Sequence, residues 1–487
     1  MVRVEARLTT GLPQLVVVGL PDAAVREGRE RVRSAIRATS ETFPLGRVVV
    51  NLSPASRPKG GASFDLAIAM ALMGAAGLCE LEKLSRTVFV GELGLDGRVH
   101  TVPGILPASL AAARAGHEKV VVPRANAAEA AIAKSADVYA VADLREALEL
   151  VRGGFAAEPV RFDPVAHLAA AARDGAGYDE DLSEIRGQGP ARRALEIAAA
   201  GGHHMLMIGP PGAGKTMLAR RLPSILPAPT LEEAIETTSV HSIAGLNDGG
   251  ALVARRPFRA PHHTTSGAGM VGGGANPSPG EISLAHNGVL FLDELPEYAP
   301  HVLNQLREPL QDGFLLLSRA GGRHKFPARI LLVAAMNPCP CGFYATGVRS
   351  CRCAESSLHR YRGRISGPLL DRIDLHVHVP RVEYEELSTE ARETAENSAA
   401  VRTRVQAARS VLDRDARANA PRMTRDADRT LARASHRFAL SARAVRRTVA
   451  VARTVAALDG RHEIDAADAI EALHYRQAVG SEAASDA

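Results

Sequence analysis

The chain has 487 residues, which at roughly 150 residues per domain predicts about three domains with more than one buried core. Hydrophobic residues make up 46% and charged residues 23%, which excludes a globally disordered chain. Aromatics are only 4% with no Trp, so Ala, Val and Leu carry the core, a composition suited to helices and parallel strands. Lys plus Arg exceeds Asp plus Glu by 59 to 54, which permits an acidic partner without requiring one. Five Cys are too sparse for a disulfide framework. The opening residues lack the apolar stretch of a signal peptide, and the uncharged run at 66–79 is shorter than the ~20 residues that span a bilayer. The expectation is a cytoplasmic protein with no membrane contact.

Residues 1–155 alternate β-rich runs at 15–18, 48–52, 88–90 and 120–122 with Ala-rich stretches, the pattern of an α/β domain. Residues 156–181 carry Pro159, Pro164, Gly175, Gly177 and several acids and read as a linker. A second α/β pattern fills 182–380, with apolar runs at 205–208, 289–292, 330–335 and 375–379, each suited to a buried parallel strand with ligand groups gathered at its carboxyl end. Residues 381–480 read as helical, and 481–487 as a frayed tail. Between 401 and 447 there are 13 Arg against 4 Asp, a local excess larger than the net charge of the whole chain.

After the first strand of the second pattern come Gly209, Pro210, Pro211, Gly212, Ala213, Gly214, Lys215 and Thr216, fitting G-x-x-x-x-G-K-[ST] between a strand and a helix. Glycines let backbone N–H groups close on phosphate oxygens, Lys215 neutralises the β- and γ-phosphates, and Thr216 is a ligand for Mg²⁺. The second run ends in Asp293 and Glu294. Carboxylates belong at the end of a buried strand, where Asp293 suits the Mg²⁺ shell and Glu294 the attacking water, so the chemistry is phosphoanhydride hydrolysis. Asn337 ends the third run, placed to hold that water, and Arg372 lies near the domain edge, able to reach a neighbour's phosphate.

Arg256-Pro-Phe-Arg-Ala-Pro-His-His263, the stretch from Gly280 to Glu294, Ala334-Ala-Met-Asn-Pro-Cys-Pro-Cys-Gly342 and Gly367-Pro-Leu-Leu-Asp-Arg-Ile-Asp374, with the phosphate loop, resemble the magnesium-chelatase-like AAA+ ATPases of the YifB/ComM family over nearly the whole chain. The resemblance implies a parallel sheet of order 5-1-4-3-2, a C-terminal helical lid and a homo-hexameric ring. It makes Asn337 sensor 1, Arg372 an arginine finger acting in trans, and Arg443 the sensor 2 arginine of the lid. It also implies a DNA-translocating motor of the helicase or branch-migration type. A metal-insertion motor and a protein-remodelling ATPase are the alternatives. Residues 313–319 and 325–333 flank a basic tip, reading as a hairpin whose Arg323, His324 and Lys325 could grip DNA. His262 and His263 read as pocket or loop residues rather than metal ligands.

In the first domain, Arg57-Pro-Lys-Gly-Gly-Ala-Ser63 and Gly91-Glu-Leu-Gly-Leu-Asp-Gly-Arg-Val99 resemble the proteolytic domain of Lon. Ser63 takes the nucleophile position, but the position of the lysine base is Leu106, which cannot accept a proton. The domain is therefore expected to be non-proteolytic. The same resemblance suggests one more strand before Val2, whose absence would leave a sheet edge open. Finally, Cys339, Cys341, Cys351 and Cys353 form two C-x-C pairs, a set able to close a tetrahedral Zn²⁺ site beside Asn337, with a redox-labile pair of dithiols or four ordinary thiols as the other readings.

Overall fold

The computed structural model describes all residues except 13, 42, 44–45, 135, 174–177, 248–249, 275–276, 320–321, 348, 383–395, 418–421 and 478–487. The expected tail therefore lies outside the described residues. Among those described, no helix is long and apolar enough to cross a membrane.

The N-terminal part holds two three-stranded sheets. One runs Arg3–Thr9, Arg47–Ser53, Gln14–Val18 across the sheet, the other Thr87–Phe89, Lys119–Pro123, Asp137–Val141. Helix Ala23–Ala38 starts because Asp22 accepts a hydrogen bond from the Val25 amide at 2.9 Å, satisfying one of the free donors of its first turn. Helix Asp65–Ala75 is buried all round. It therefore tolerates Asp65 only as a partner of Arg31 (2.7 Å); burial still holds the carboxyl above its usual range.

The supposed linker is ordered where it is described. The Val160 amide bonds the Val138 carbonyl at 2.8 Å, extending the second sheet, and a helix runs Pro164–Arg173. Phe162 and Leu168 supply apolar surface to a cluster shared with the second unit. Proline marks the start of a helix within this stretch.

The second unit is built on a five-stranded sheet. Its strands are β1 (Met205–Ile208), β2 (Phe258–Arg259), β3 (Val289–Leu292), β6 (Leu331–Met336) and β7 (Leu375–His378), in the order β2-β3-β6-β1-β7 with every pairing parallel. Between β3 and β6 an antiparallel hairpin, β4 (Phe314–Arg319) with β5 (Gly322–Pro327), stands apart from the sheet. Strands β1, β3 and β6 read as continuous apolar runs because both faces are covered. Met205, Met207, Phe291, Val333 and Ala335 face one cluster, while Leu206, Leu290, Leu292, Leu332 and Ala334 face the other, the two-residue alternation of a pleated strand. Each of these Leu, Met, Val and Phe side chains contributes roughly 1.5–3 kcal/mol of burial.

Helix α1 (Lys215–Ile225) follows β1, and α2 (Leu231–Ile243) follows α1. A reciprocal capping box between Thr230 and Glu233 (2.9 and 3.2 Å) starts α2. The C-terminal helices α3 (Ser398–Arg417), α4 (Arg425–Arg437), α5 (Ala442–Leu458) and α6 (Ala466–Gln477) place Val401, Val405, Leu431, Val451 and Val455 in the same cluster as α1. One element there was not expected: a parallel bridge pairs Arg422–Met423 with Glu463–Ile464, too short for a periodicity signal.

Candidate nucleotide site

The carboxyl ends of β1, β3 and β6 converge on a cleft of about 400 Å³ lined by Pro211 to Met217, Asp293, Glu294, Met336 and Asn337. At its floor a Cβ on Gly209 would sit 2.1 Å from the Val379 carbonyl oxygen, so only glycine lets the loop pass β7. Gly212 and Gly214 adopt positive φ (75° and 87°), turning the chain into α1. The buried Lys215 ammonium donates to the carbonyls of Gly209 (2.7 Å) and Pro210 (3.0 Å) and to Asn337 Oδ1 (3.1 Å). Burial lowers its pKa, against the fields of Asp293 and Glu294.

Thr216 Oγ1 donates to Asp293 Oδ2 at 2.7 Å, and Asp293 Oδ1 accepts the Glu294 amide at 2.9 Å. Glu294 is held at φ 51°, a left-handed conformation rare for a non-glycine residue that redirects the chain as it leaves the strand. Its Oε2 lies 3.2 Å from Nδ1 of His263. That histidine follows β2 and lines a second cleft of about 280 Å³ with Thr216, Arg220, Asp293 and Glu294. From the sequence, His263 reads as a pocket or loop residue, with no connection to the carboxylate. The signal available was its position just beyond the carboxyl end of a sheet strand. Gln188 was also missed. At φ 55°, its Nε2 donates to the carbonyls of Ala213 (3.2 Å) and Pro380 (2.6 Å), tying the phosphate loop to the end of β7.

These residues fit Mg-nucleotide. Lys215 has only neutral oxygens for hydrogen-bond partners, the hydroxyl and carboxylate of an Mg²⁺ pair already touch, and the glycine turns leave backbone room for phosphate.

Arg372 is not part of that cleft. It precedes β7 and so belongs to the amino-terminal edge of the sheet, with the strand, about 13 Å long, between it and the phosphate-loop end. Its guanidinium is turned inward, donating to the carbonyls of Arg307 (3.1 Å) and Pro368 (2.7 Å) and to Gln311 Oε1 (2.7 Å). Burial lowers its pKa, and the fields of Arg443, Arg307 and Arg447 add to this. Arg443, exposed in the first turn of α5, thus shares an edge with Arg372 rather than with Lys215 of the same chain.

Cys339, Cys341, Cys351 and Cys353 bring their sulfurs within 4.8 Å of one another. The Cys339–Cys341, Cys339–Cys351 and Cys341–Cys351 separations are 3.3, 3.7 and 3.6 Å. Four thiolates at Zn–S distances of about 2.3 Å would stand about 3.8 Å apart, so the donor set fits Zn²⁺ with small adjustments. Gly342, inside this loop, packs on the phosphate loop; a Cβ there would fall 2.5 Å from Pro211 Cδ.

Three family descriptions tile the chain: "Magnesium chelatase, subunit ChlI" over residues 181–387, "Subunit ChlI of Mg-chelatase" over 4–126, and "Magnesium chelatase, subunit ChlI C-terminal" over 395–476. Competence protein ComM of Haemophilus influenzae is 41% identical over 490 residues, covering 98% of this chain and 95% of its own. The chain belongs to the YifB/ComM family. An uncharacterised protein of Mycobacterium tuberculosis is 42% identical over 496 residues (98% and 96% covered), and the uncharacterised protein YifB of Escherichia coli 40% over 491 (98% and 93%). A shorter stretch, 29% of this chain, is 31% identical over 150 residues to Lon protease 2 of Bacillus subtilis, 27% of that protein. Membership of this magnesium-chelatase-like AAA+ family implies ATP and Mg²⁺ as ligands.

Ser63 lies in a short turn, Ala62–Phe64. Leu106 is fully buried, with Ile132 from its own unit and Ala234 and Leu252 from the second. Its amide donates to Glu129 Oε1 at 3.0 Å, which also accepts the Ser242 hydroxyl of α2. The residue at the base position is thus a packing group at the junction of the two units.

Proposed function

We propose that this chain is an Mg²⁺-dependent ATPase of a ring-forming motor that acts on DNA. The observation that carries the reading is the convergence, in one cleft, of a buried lysine, a hydroxyl–carboxylate pair and a second carboxylate at the adjacent position. Lys215 exchanges its neutral acceptors for phosphate oxygens, and Thr216 with Asp293 holds the cation. Bound Mg²⁺ would neutralise charge developing across the β- and γ-phosphate oxygens. Glu294 takes a proton from the water whose oxygen attacks the γ-phosphorus, while Asn337 orients it. The bond to the bridging oxygen breaks, leaving ADP and phosphate.

Arg372 and Arg443 serve the cleft of the next subunit. A head-to-tail ring, expected to be a hexamer, sets the amino-terminal edge of one sheet against its neighbour's cleft. Residues 182–380 then act as the AAA+ core and 381–480 as the lid.

The case for DNA rests on the hairpin. Arg323 and His324 lie with Lys325 along β5, the second strand, rather than at the turn, because that strand begins earlier than the apolar pattern suggested. Lys325 stands 4.0 Å above the Phe314 ring, so its charge is displayed on a fixed support. The Arg-rich stretch adds less than its composition implied: Arg404 pairs with Glu196 and Glu396, and Arg447 with Asp374. The test is the ATPase rate with and without single-stranded DNA across a salt series. Stimulation that declines as salt rises is expected. No stimulation at low salt would remove DNA from the proposal and favour a protein substrate.

A further inference from the structure

Two of the three acceptors that hold Arg372 belong to the segment that enters the hairpin. The Arg307 carbonyl lies just before the short helix Pro309–Asp312 and Gln311 within it, and β4 begins two residues after that helix. The Ala328 amide closes the base on the Gly313 carbonyl at 2.8 Å, and Leu315 and Phe326 bury themselves there, so the base and the helix move as one piece. None of the three acceptors is charged. Arg443, Arg307 and Arg447 crowd Arg372 with their own sign, and a guanidinium in that setting exchanges neutral oxygens for phosphate readily once one is within reach.

We propose that Gln311 is a latch that stores Arg372 against the hairpin base. A load on the hairpin withdraws the Gln311 amide oxygen and frees the guanidinium to swing towards the neighbouring subunit's γ-phosphate. Gln311 is then a positioning residue through which occupancy of β4 and β5 is felt at the next nucleotide site. This rests on the reading of Arg372 as a residue acting in trans.

The experiment uses the full-length assembly and measures kcat and KM for ATP without nucleic acid. Gln311 is exposed, so replacing it leaves the core intact, and a thermal melt checks this. Gln311→Ala removes one hydrogen bond to a charged group and is expected to raise basal kcat up to about tenfold at unchanged KM. Gln311→Glu replaces a neutral acceptor with a carboxylate and is expected to lower kcat by a similar factor. Arg372→Ala is expected to be inactive. If both Gln311 variants move kcat in the same direction, or neither moves it while Arg372→Ala is inactive, the latch is overturned and the trans role stands. If Arg372→Ala hydrolyses ATP at the wild-type rate, the trans reading falls and the latch with it.

Discussion

Lys215 keeps an ammonium among three neutral oxygens, and its depressed pKa records the cost of that burial. A ligand carrying formal negative charge relieves this, which is why the loop favours phosphate over a neutral group. Beside it the two carboxylates divide the work: Asp293 is committed to Thr216, whereas Glu294 reaches away from it to His263. Glu294→Gln keeps size and hydrogen bonding but removes the base. It should lower kcat by roughly 10²–10⁴-fold while ATP binding persists; turnover and nucleotide titration measure the two effects, and unchanged hydrolysis would sink the assignment. Asp293 and Glu294 were legible in the sequence because charge cannot sit inside a buried strand, so a carboxylate pair after an apolar run marks a strand end. The His263 contact was not, since it joins two strands whose pairing no local pattern encodes. The inward turn of Arg372 was equally hidden: a rotamer set partly by acceptors 65 and 61 residues away, the Arg307 carbonyl and Gln311 Oε1, leaves no trace in composition.

At the scale of elements, a metal held by the cysteine loop would be linked to the nucleotide site. It begins just beyond Asn337 and presses Gly342 on Pro211, so losing a structural metal would loosen both the sensor and the phosphate loop. Purified protein is expected to carry about one zinc per chain, and strong chelation to lower both its melting temperature and its ATP affinity. Metal analysis finding no zinc, with neither property altered by chelation, would exclude the site. The apolar runs of β1, β3 and β6 were readable because parallel strands buried on both faces leave little room for polar residues. The stretch around Pro164 reads as a linker from its proline and acidic residues, but the same residue types start helices, and the contact of Leu168 with the second unit has no local signal.

At the scale of the whole molecule, charge and architecture both shift from what composition suggested. Part of the positive excess near the C-terminus is tied internally: Arg404 fastens α3 to the helix Gly189–Gly201, and Arg447 fastens α5 to the segment before β7. Net charge was a poor guide here because it ignores pairing. The N-terminal unit, similar in part to a Lon protease, places the residue at the would-be base position in the junction with α2. The central claim is that each nucleotide site is completed by the neighbouring chain. It is tested most directly by mixing two inactive variants, Glu294→Gln and Arg372→Ala, after confirming that they co-assemble. A cleft with an intact Glu294 can then face an intact Arg372, and random mixing in equal amounts should restore about a quarter of wild-type ATPase activity. Mixed rings that stay inactive would contradict the account.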